Sequence, residues 1–422
     1  MDAVQTTEDY AQLQTTLAGA CGWLLDNQDP AGYWVGRLQT NSCMEAEWIL
    51  AQHMLGITDD PKYDGVVRAI LQEQREDGSW DVYHDAPVGD VNATVECYAA
   101  LRTAGLAVDH PAVARAREWI FSQDALSRIR VFTRYWLALI GEWAWTDTPD
   151  LPPEIIFLPR RAPFSLYSFA SWARATMIPL AILSARRFTR PLPESSRLDE
   201  LFPDGRESFS FRLPARPGLL TGAFRVVDSL LRAYTSFPVN PGREVAVRSC
   251  LEWIIRHQEA DGAWSGIQPP WIYSLLALKC EGYPLDHPVL AAGLDAFNQH
   301  WRIDEGEATY LQASESPVWD TLLSALGLIE SGHSADETPA VARAVDWVLA
   351  RQNDFHGDWH LSTPVPSGGW AFERANLFYP DVDDTSVAVI LLAKLRETSG
   401  YRRRDVDQAI ERAVPWMIAM QS

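Results

Sequence analysis

Gly22-Trp23-Leu24-Leu25-Asp26-Asn27-Gln28, closed by Gly32 and Trp34, is a phrase that the chain repeats. Ala69-Ile70-Leu71-Gln72-Glu73-Gln74 leads to Gly78 and Trp80. Leu251-Glu252-Trp253-Ile254-Ile255-Arg256-His257-Gln258 leads to Gly262 and Trp264. All three share Gln-x3-Gly-x-Trp. Gln352 to Gly357 and Trp359 reads as a fourth copy with one extra residue. Trp119-Ile120-Phe121-Ser122-Gln123 is a degenerate copy, and Trp416-Met417-Ile418-Ala419-Met420-Gln421 is the helical half of another. Self-similarity of this kind is the mark of a repeat architecture.

Physically the phrase is a helix followed by a tight loop. Apolar residues at i and i+4 form one helix face. The glutamine falls at the helix end, where carbonyls lack partners. Glycine permits the turn, and tryptophan folds back as a lid with its N–H free to donate. Between the phrases run more apolar segments ended by glycine, the usual residue after a helix C-terminus. These are residues 44–55 before Gly56, 93–104 before Gly105, 271–281 before Gly282, 318–331 before Gly332 and 384–399 before Gly400. Alternation of half-apolar and strongly apolar helices predicts an all-α fold, an α/α toroid with inner and outer layers. Strand signals are weak.

Composition narrows the function. The 422 residues carry 36 Lys and Arg against 56 Asp and Glu, a net charge of −20. Phosphate binding needs clustered cations, so nucleic acid is not an expected partner. Hydrophobic content of 47% with 22% charged residues is that of a globular chain. No apolar run reaches the length of a spanning helix, and the acidic start Met1-Asp2-Ala3-Val4 is unlike a signal peptide. Cys21, Cys43, Cys97, Cys250 and Cys280 are scattered and read as core thiols of a reducing compartment.

Residues 146–165 and 187–218 read as long connections. Residues 219–234 are amphipathic, with Arg225 and Arg232 off the apolar face. That pattern suits a core-facing helix or a monotopic membrane contact.

The chemistry-bearing stretch is Gly368-Gly369-Trp370-Ala371-Phe372-Glu373-Arg374-Ala375-Asn376-Leu377-Phe378-Tyr379-Pro380-Asp381-Val382-Asp383-Asp384-Thr385. Three carboxylates in four residues follow a proline and precede an apolar helix. Acids at a helix start serve as caps and suit the dipole. Crowded beside an apolar helix, they also raise the pKa of at least one member through repulsion and desolvation. Trp370, Phe372, Phe378 and Tyr379 offer π faces, which stabilise a cation without quenching it. A protonated acid with aromatic walls is what protonation of an unactivated alkene requires.

Asp381-Val382-Asp383-Asp384-Thr385 together with the repeats resembles the squalene–hopene cyclase family of class II triterpene cyclases, over essentially the whole chain. The resemblance implies that Asp383 is the acid, with Asp381 and Asp384 as its hydrogen-bonding and ionised neighbours. Ser171-Trp172-Ala173-Arg174-Ala175-Thr176, Gly266-Ile267-Gln268-Pro269-Pro270-Trp271 and Ser316-Pro317-Val318-Trp319-Asp320-Thr321 resemble segments lining the family's cavity. By that resemblance Trp172, Trp319 and Phe372 stabilise cations, Ile267 shapes the pocket, and Glu45 and Gln268 belong to a polar network where the last cation is deprotonated or hydrated. The family implies two toroids: residues 1–36 and 314–422 catalytic, and 37–313 inserted, with 219–234 as membrane contact. It further implies squalene as substrate, hopene or hopanol as product, no cofactor or metal, and a peripheral position on the cytoplasmic side of the membrane.

Family members continue past Ser422 with a segment that completes the catalytic toroid. The expectation is therefore a catalytic domain incomplete at its C-terminus, completed by a complementary C-terminal chain or a second copy. Two other readings are a noncatalytic isoprenoid-binding or interaction module and a cyclase of a shorter prenyl substrate. His356-Gly357-Asp358-Trp359-His360 lies in a repeat loop and is not read as a metal site; Asp59-Asp60-Pro61-Lys62-Tyr63-Asp64 is one residue too long for a magnesium-binding DDxxD.

Overall fold

The computed structural model describes residues 2–162, 165–209, 211, 234, 240–373, 375, 376 and 379–421, the side chains of residues 2–9 apart. The 219–234 segment lies outside the described residues except for Tyr234. Among the described residues the fold is all-α apart from one short antiparallel hairpin, Arg302–Glu305 with Ala308–Leu311. The chain divides into two compact units. One joins Met1–Arg37 to Glu315–Ser422; the other is Leu38–Ser314.

In the Leu38–Ser314 unit, inner helices are apolar nearly all round because both sides are covered. Val91–Thr103, Cys43–Leu55, Gln268–Cys280 and Ser171–Arg186 pack side by side in that order. Outer helices such as Tyr63–Gln72 and Pro288–His300 bury one stripe, for example Val66, Ala69 and Ile70. In the other unit, Pro317–Glu330 packs on Val382–Thr398, while Pro339–Ala350 and Arg403–Met420 form the outer layer.

The repeat phrase is the joint between layers, and its hydrogen bonds differ from the expected helix-end cap. Gln28 Nε2 donates to Gly32 O at 3.0 Å and to Ala340 O, at the start of the next outer helix, at 2.8 Å. Gln74 does the same to Gly78 O and Ala112 O, and Gln258 to Gly262 O and Val289 O. The tryptophan closes the helix end instead: Trp34, Trp80 and Trp264 Nε1 donate to Leu24, Ile70 and Ile254 carbonyls at 2.7–2.8 Å. Gly32 and Gly78 have positive φ, and a Cβ on either would strike the backbone of Arg343 or Arg115.

The fourth copy requires a correction. Gln352 Nε2 donates to Gly368 O at 2.7 Å, sixteen positions on, and to Ala409 O. Trp370 Nε1 donates to Val348 O at 2.7 Å. The structural repeat is therefore Gln352, Gly368 and Trp370. Gly357 and Trp359 lie in an insertion that separates the glutamine from its glycine, and they imitate the motif by spacing alone.

Candidate active site

This joint delivers the carboxylates. Trp370 N donates to Thr385 Oγ1 at 2.9 Å, Asp381 N donates to Trp370 O at 2.9 Å, and Thr385 Oγ1 donates to Asp381 O at 2.6 Å. The Leu38–Ser314 unit holds the same arrangement without the chemistry. There Trp80 N donates to Thr94 Oγ1, Asp90 N to Trp80 O, and Thr94 Oγ1 to Asp90 O. Asp90-Val91-Asn92-Ala93-Thr94 thus matches Asp381-Val382-Asp383-Asp384-Thr385 position for position. In both, the first aspartate is an N-cap: Asp381 Oδ1 accepts Asp384 N at 2.8 Å, and Asp90 Oδ1 accepts Ala93 N at 3.0 Å. The acid motif is a repeat cap in which two further positions carry carboxylates.

Helix geometry separates those two. Asp384 shares the buried face with Ala388, Leu391, Leu392 and Leu395. Asp383, one residue earlier, is exposed together with Val382. Burial first, and then the neighbouring Asp381, Asp383 and Asp320, push the Asp384 carboxyl up to about 8. Asp381 is also raised, chiefly by burial. Asp384 Oδ1 has no hydrogen-bond partner among the described residues. Near neutral pH this is a cap with a proton stored on its buried carboxyl.

Asp320 was not among the residues singled out as acids. It lies on the neighbouring Pro317–Glu330 helix, and its Oδ2 accepts Gly36 N at 2.7 Å and Ser316 Oγ at 3.1 Å. Trp34 N donates to Thr321 Oγ1, so Asp320 occupies the repeat position of Asp384. In the same unit, Trp319 and Phe372 are half-buried.

The remaining expected site residues belong to the Leu38–Ser314 unit. Trp172, at the start of its helix, is 56% exposed, and Ile267 is half-buried. Glu45 and Gln268 are both buried: Gln268 Nε2 donates to Met44 O at 2.8 Å, and Glu45 Oε1 accepts Leu311 N at 2.6 Å. Burial pushes Glu45 up to about 8.

A second buried polar group was missed. Glu47 is also pushed up to about 8, by burial and then by Glu96, with Arg130 opposing. Glu96 accepts Thr133 Oγ1 at 2.5 Å and Arg130 Nη2 at 3.3 Å. The thiol of Cys43 and the hydroxyl of Tyr273 are raised by burial and feel the same glutamates. The signal was two glutamates, Glu45 and Glu47, in the strongly apolar first half of the helix Cys43–Leu55. Among the described residues no group of His, Cys, Asp and Glu is placed to hold a metal ion.

Comparison with known proteins agrees across the chain. A family model for the squalene-hopene cyclase N-terminal domain matches residues 17–306, and one for the squalene-hopene cyclase C-terminal domain matches residues 315–422. The squalene–hopene cyclase of Alicyclobacillus acidocaldarius is 40% identical over 412 residues, covering 96% of this chain and 63% of that protein. A squalene hopane cyclase of Aspergillus fumigatus is 35% identical over 436 residues, covering 100% and 57%. A dammaradiene synthase of Dryopteris crassirhizoma is 32% identical over 401 residues, covering 94% and 58%. The chain thus spans less than two thirds of the length of each of these relatives.

Proposed function

Since the chain belongs to the squalene–hopene cyclase family, we propose that it takes part in proton-initiated polycyclisation of a linear isoprenoid, squalene by preference, to hopene or hopanol. The observation that carries this reading is the carboxylate set on the Val382–Thr398 helix. One member is buried and protonated near neutral pH, and another, Asp383, is exposed on the same helix start.

In this reading Asp383 delivers the cluster's proton to the terminal alkene carbon of the substrate; the carboxyl O–H bond breaks and the alkene π pair forms the new C–H bond. The Asp381 and Asp384 carboxyls adjust to the charge left behind. Asp384 holds a proton that keeps the cluster from carrying three full negative charges. Cations then advance through ring closures, and the aromatic faces of Phe372, Trp319 and Trp172 lower their energy without offering a lone pair. Loss of a proton, or capture of water, ends the sequence; the network of Glu45, Gln268 and the neighbouring Glu47 and Glu96 is the proposed place. Such chemistry needs no metal or cofactor.

Val382 and Ile390 on the helix of Asp383, and Val414 and Ile418 on the Arg403–Met420 helix packed against it, are exposed. A carbocation exposed to water is captured, so catalysis requires this face to be covered. We expect a complementary C-terminal cyclase segment or a second copy to cover it. The domain roles follow the same reading: Met1–Arg37 with Glu315–Ser422 is the catalytic unit, and Leu38–Ser314 carries the membrane contact. No helix among the described residues is long and apolar enough to cross a membrane; the proposed association is peripheral, on the cytoplasmic face.

The test is product analysis by mass spectrometry after incubation with squalene, with the protein alone and with the C-terminal part of a relative added. Polycyclic triterpenes that disappear in Asp383→Asn support the reading. Squalene recovered unchanged under both conditions overturns it and favours a noncatalytic isoprenoid-binding module.

A further inference from the structure

Among the differences between the four structural copies of the repeat, one falls at the x of Gly-x-Trp. It is Tyr33, Ser79 and Ala263 in three copies and Gly369 in the fourth, the copy that carries the acids. A Cβ at residue 369 would fall 2.9 Å from Pro380 Cβ, 2.9 Å from Thr385 Oγ1 and 3.1 Å from Trp416 Cε3. Real Cβ atoms essentially never come within 3.0 Å as the first two contacts would, so the space where the other copies place a side chain is here taken by Pro380 and Thr385 of the acid segment, with the Trp416 ring beside them. Gly369 has no positive φ; its need for glycine is one of space, not of backbone conformation.

The surrounding bonds say what this close approach does. On one side, Gly369 O accepts Asn353 N at 2.8 Å and Gly368 O accepts Gln352 Nε2, so the strip is fixed to the repeat. Arg412 Nε braces Gln352 Oε1 at 3.1 Å. On the other side, Trp370 N and O hold Thr385 and Asp381. We propose that Gly369 is a positioning residue: its missing side chain lets Pro380–Thr385 close against the repeat and sets the spacing of Asp381, Asp384 and Asp320.

A methyl group at 369 must push Pro380 and Thr385 outward. The Trp370 bonds to Asp381 and Thr385 then lengthen, and water reaches the Asp384 carboxyl. Desolvation is the first cause of its raised protonation, so hydration returns it toward an ordinary aspartate.

This inference rests on the functional reading above for its importance to catalysis, but its test does not. The full chain is labelled with aspartate enriched in carbon-13 at Cγ, and the carboxyl signals are titrated by NMR. Asp384→Asn assigns the high-titrating signal. In Gly369→Ala that signal should titrate lower by about one unit or more, while Ala263→Gly, at the equivalent position of an acid-free copy, leaves it in place. A folded Gly369→Ala protein with an unchanged Asp384 titration overturns the proposal, whatever its melting temperature. If Gly369→Ala does not fold, Thr385→Val loosens the same clamp from the acid side with little change of volume. It should lower the same titration, and an unchanged value there overturns the proposal equally. A shifted titration in a protein that does not turn over squalene would leave the positioning role intact and remove the cyclase reading alone.

Discussion

The Asp384 backbone N–H donates to Asp381 Oδ1 at 2.8 Å, while the Asp384 side chain turns into the apolar face below it. One aspartate therefore caps the helix and the other must shed charge to stay buried. The pH dependence of stability follows. Native Asp384 holds its proton to about 8, whereas the unfolded chain releases it near the ordinary value of 3.8. Between those limits the native state binds the extra proton, so stability is fully present below the window and falls as pH rises through it. The melting temperature should drop between about pH 4 and pH 8, and Asp384→Asn should flatten part of that slope. An identical slope in the variant would mean that Asp384 ionises freely in the native protein.

The same relationship shows how far the sequence was legible. Three crowded acids before an apolar helix were enough to expect a proton held near neutrality. Which acid holds it depends on the helical phase, and that too was readable: Asp384, Ala388, Leu391 and Leu395 recur at i, i+4, i+7 and i+11. The contribution of Asp320 was harder, because it comes from a helix that is distant in sequence. It shows only once Thr321 and Thr385 are known to receive equivalent tryptophan N–H groups. The fourth repeat was misread because an insertion supplied a second glycine and tryptophan at almost the expected spacing.

That correction makes a prediction. Trp370 Nε1 bonds the Val348 carbonyl, and the Trp359 indole N–H, in the insertion, has no acceptor among the described residues. Trp370→Phe removes a buried hydrogen bond, leaving the Val348 carbonyl with the Arg351 N–H alone, and opens space in the core, at a cost of about 1–3 kcal/mol. Trp359→Phe loses no hydrogen bond and should cost under about 1 kcal/mol. Denaturant midpoints measured side by side decide between them. Equal losses would return Trp359 to the repeat.

Asp383→Asn should abolish cyclisation and leave the circular dichroism and melting temperature close to wild type. Asp383 is exposed, so the isosteric amide loses a proton donor without opening a cavity. Added magnesium or a chelator should not alter the product yield. Turnover retained in a folded Asn variant would move the acid role to Asp384.

Phe372→Ala should release early-terminated products. Phe372 is half-buried two residues beyond Trp370, within the strip that holds the acid segment. Loss of a cation–π contact is worth about 0.5–2 kcal/mol, roughly two- to thirty-fold in a partition ratio. That lets deprotonation compete with ring closure. A normal product profile at reduced rate would make Phe372 a packing residue instead.

The last prediction concerns the face around Asp383. Ile390 follows Asp383 by seven residues, two turns along the same side of the helix, and is 54% exposed; Ile418, on Arg403–Met420, is 65% exposed. Neither is part of the buried core, so Ile390→Glu with Ile418→Glu should change stability by less than about 1 kcal/mol. If the face is plain surface, those charges should also leave product formation untouched. If it must be covered to shield a cation from water, two carboxylates there oppose burial and introduce bases beside the reacting chain. Polycyclic product should then fall at least tenfold, with a shift toward hydrated or singly cyclised material, while the melting temperature holds. Full activity in the double variant would show that cyclisation does not depend on covering this face.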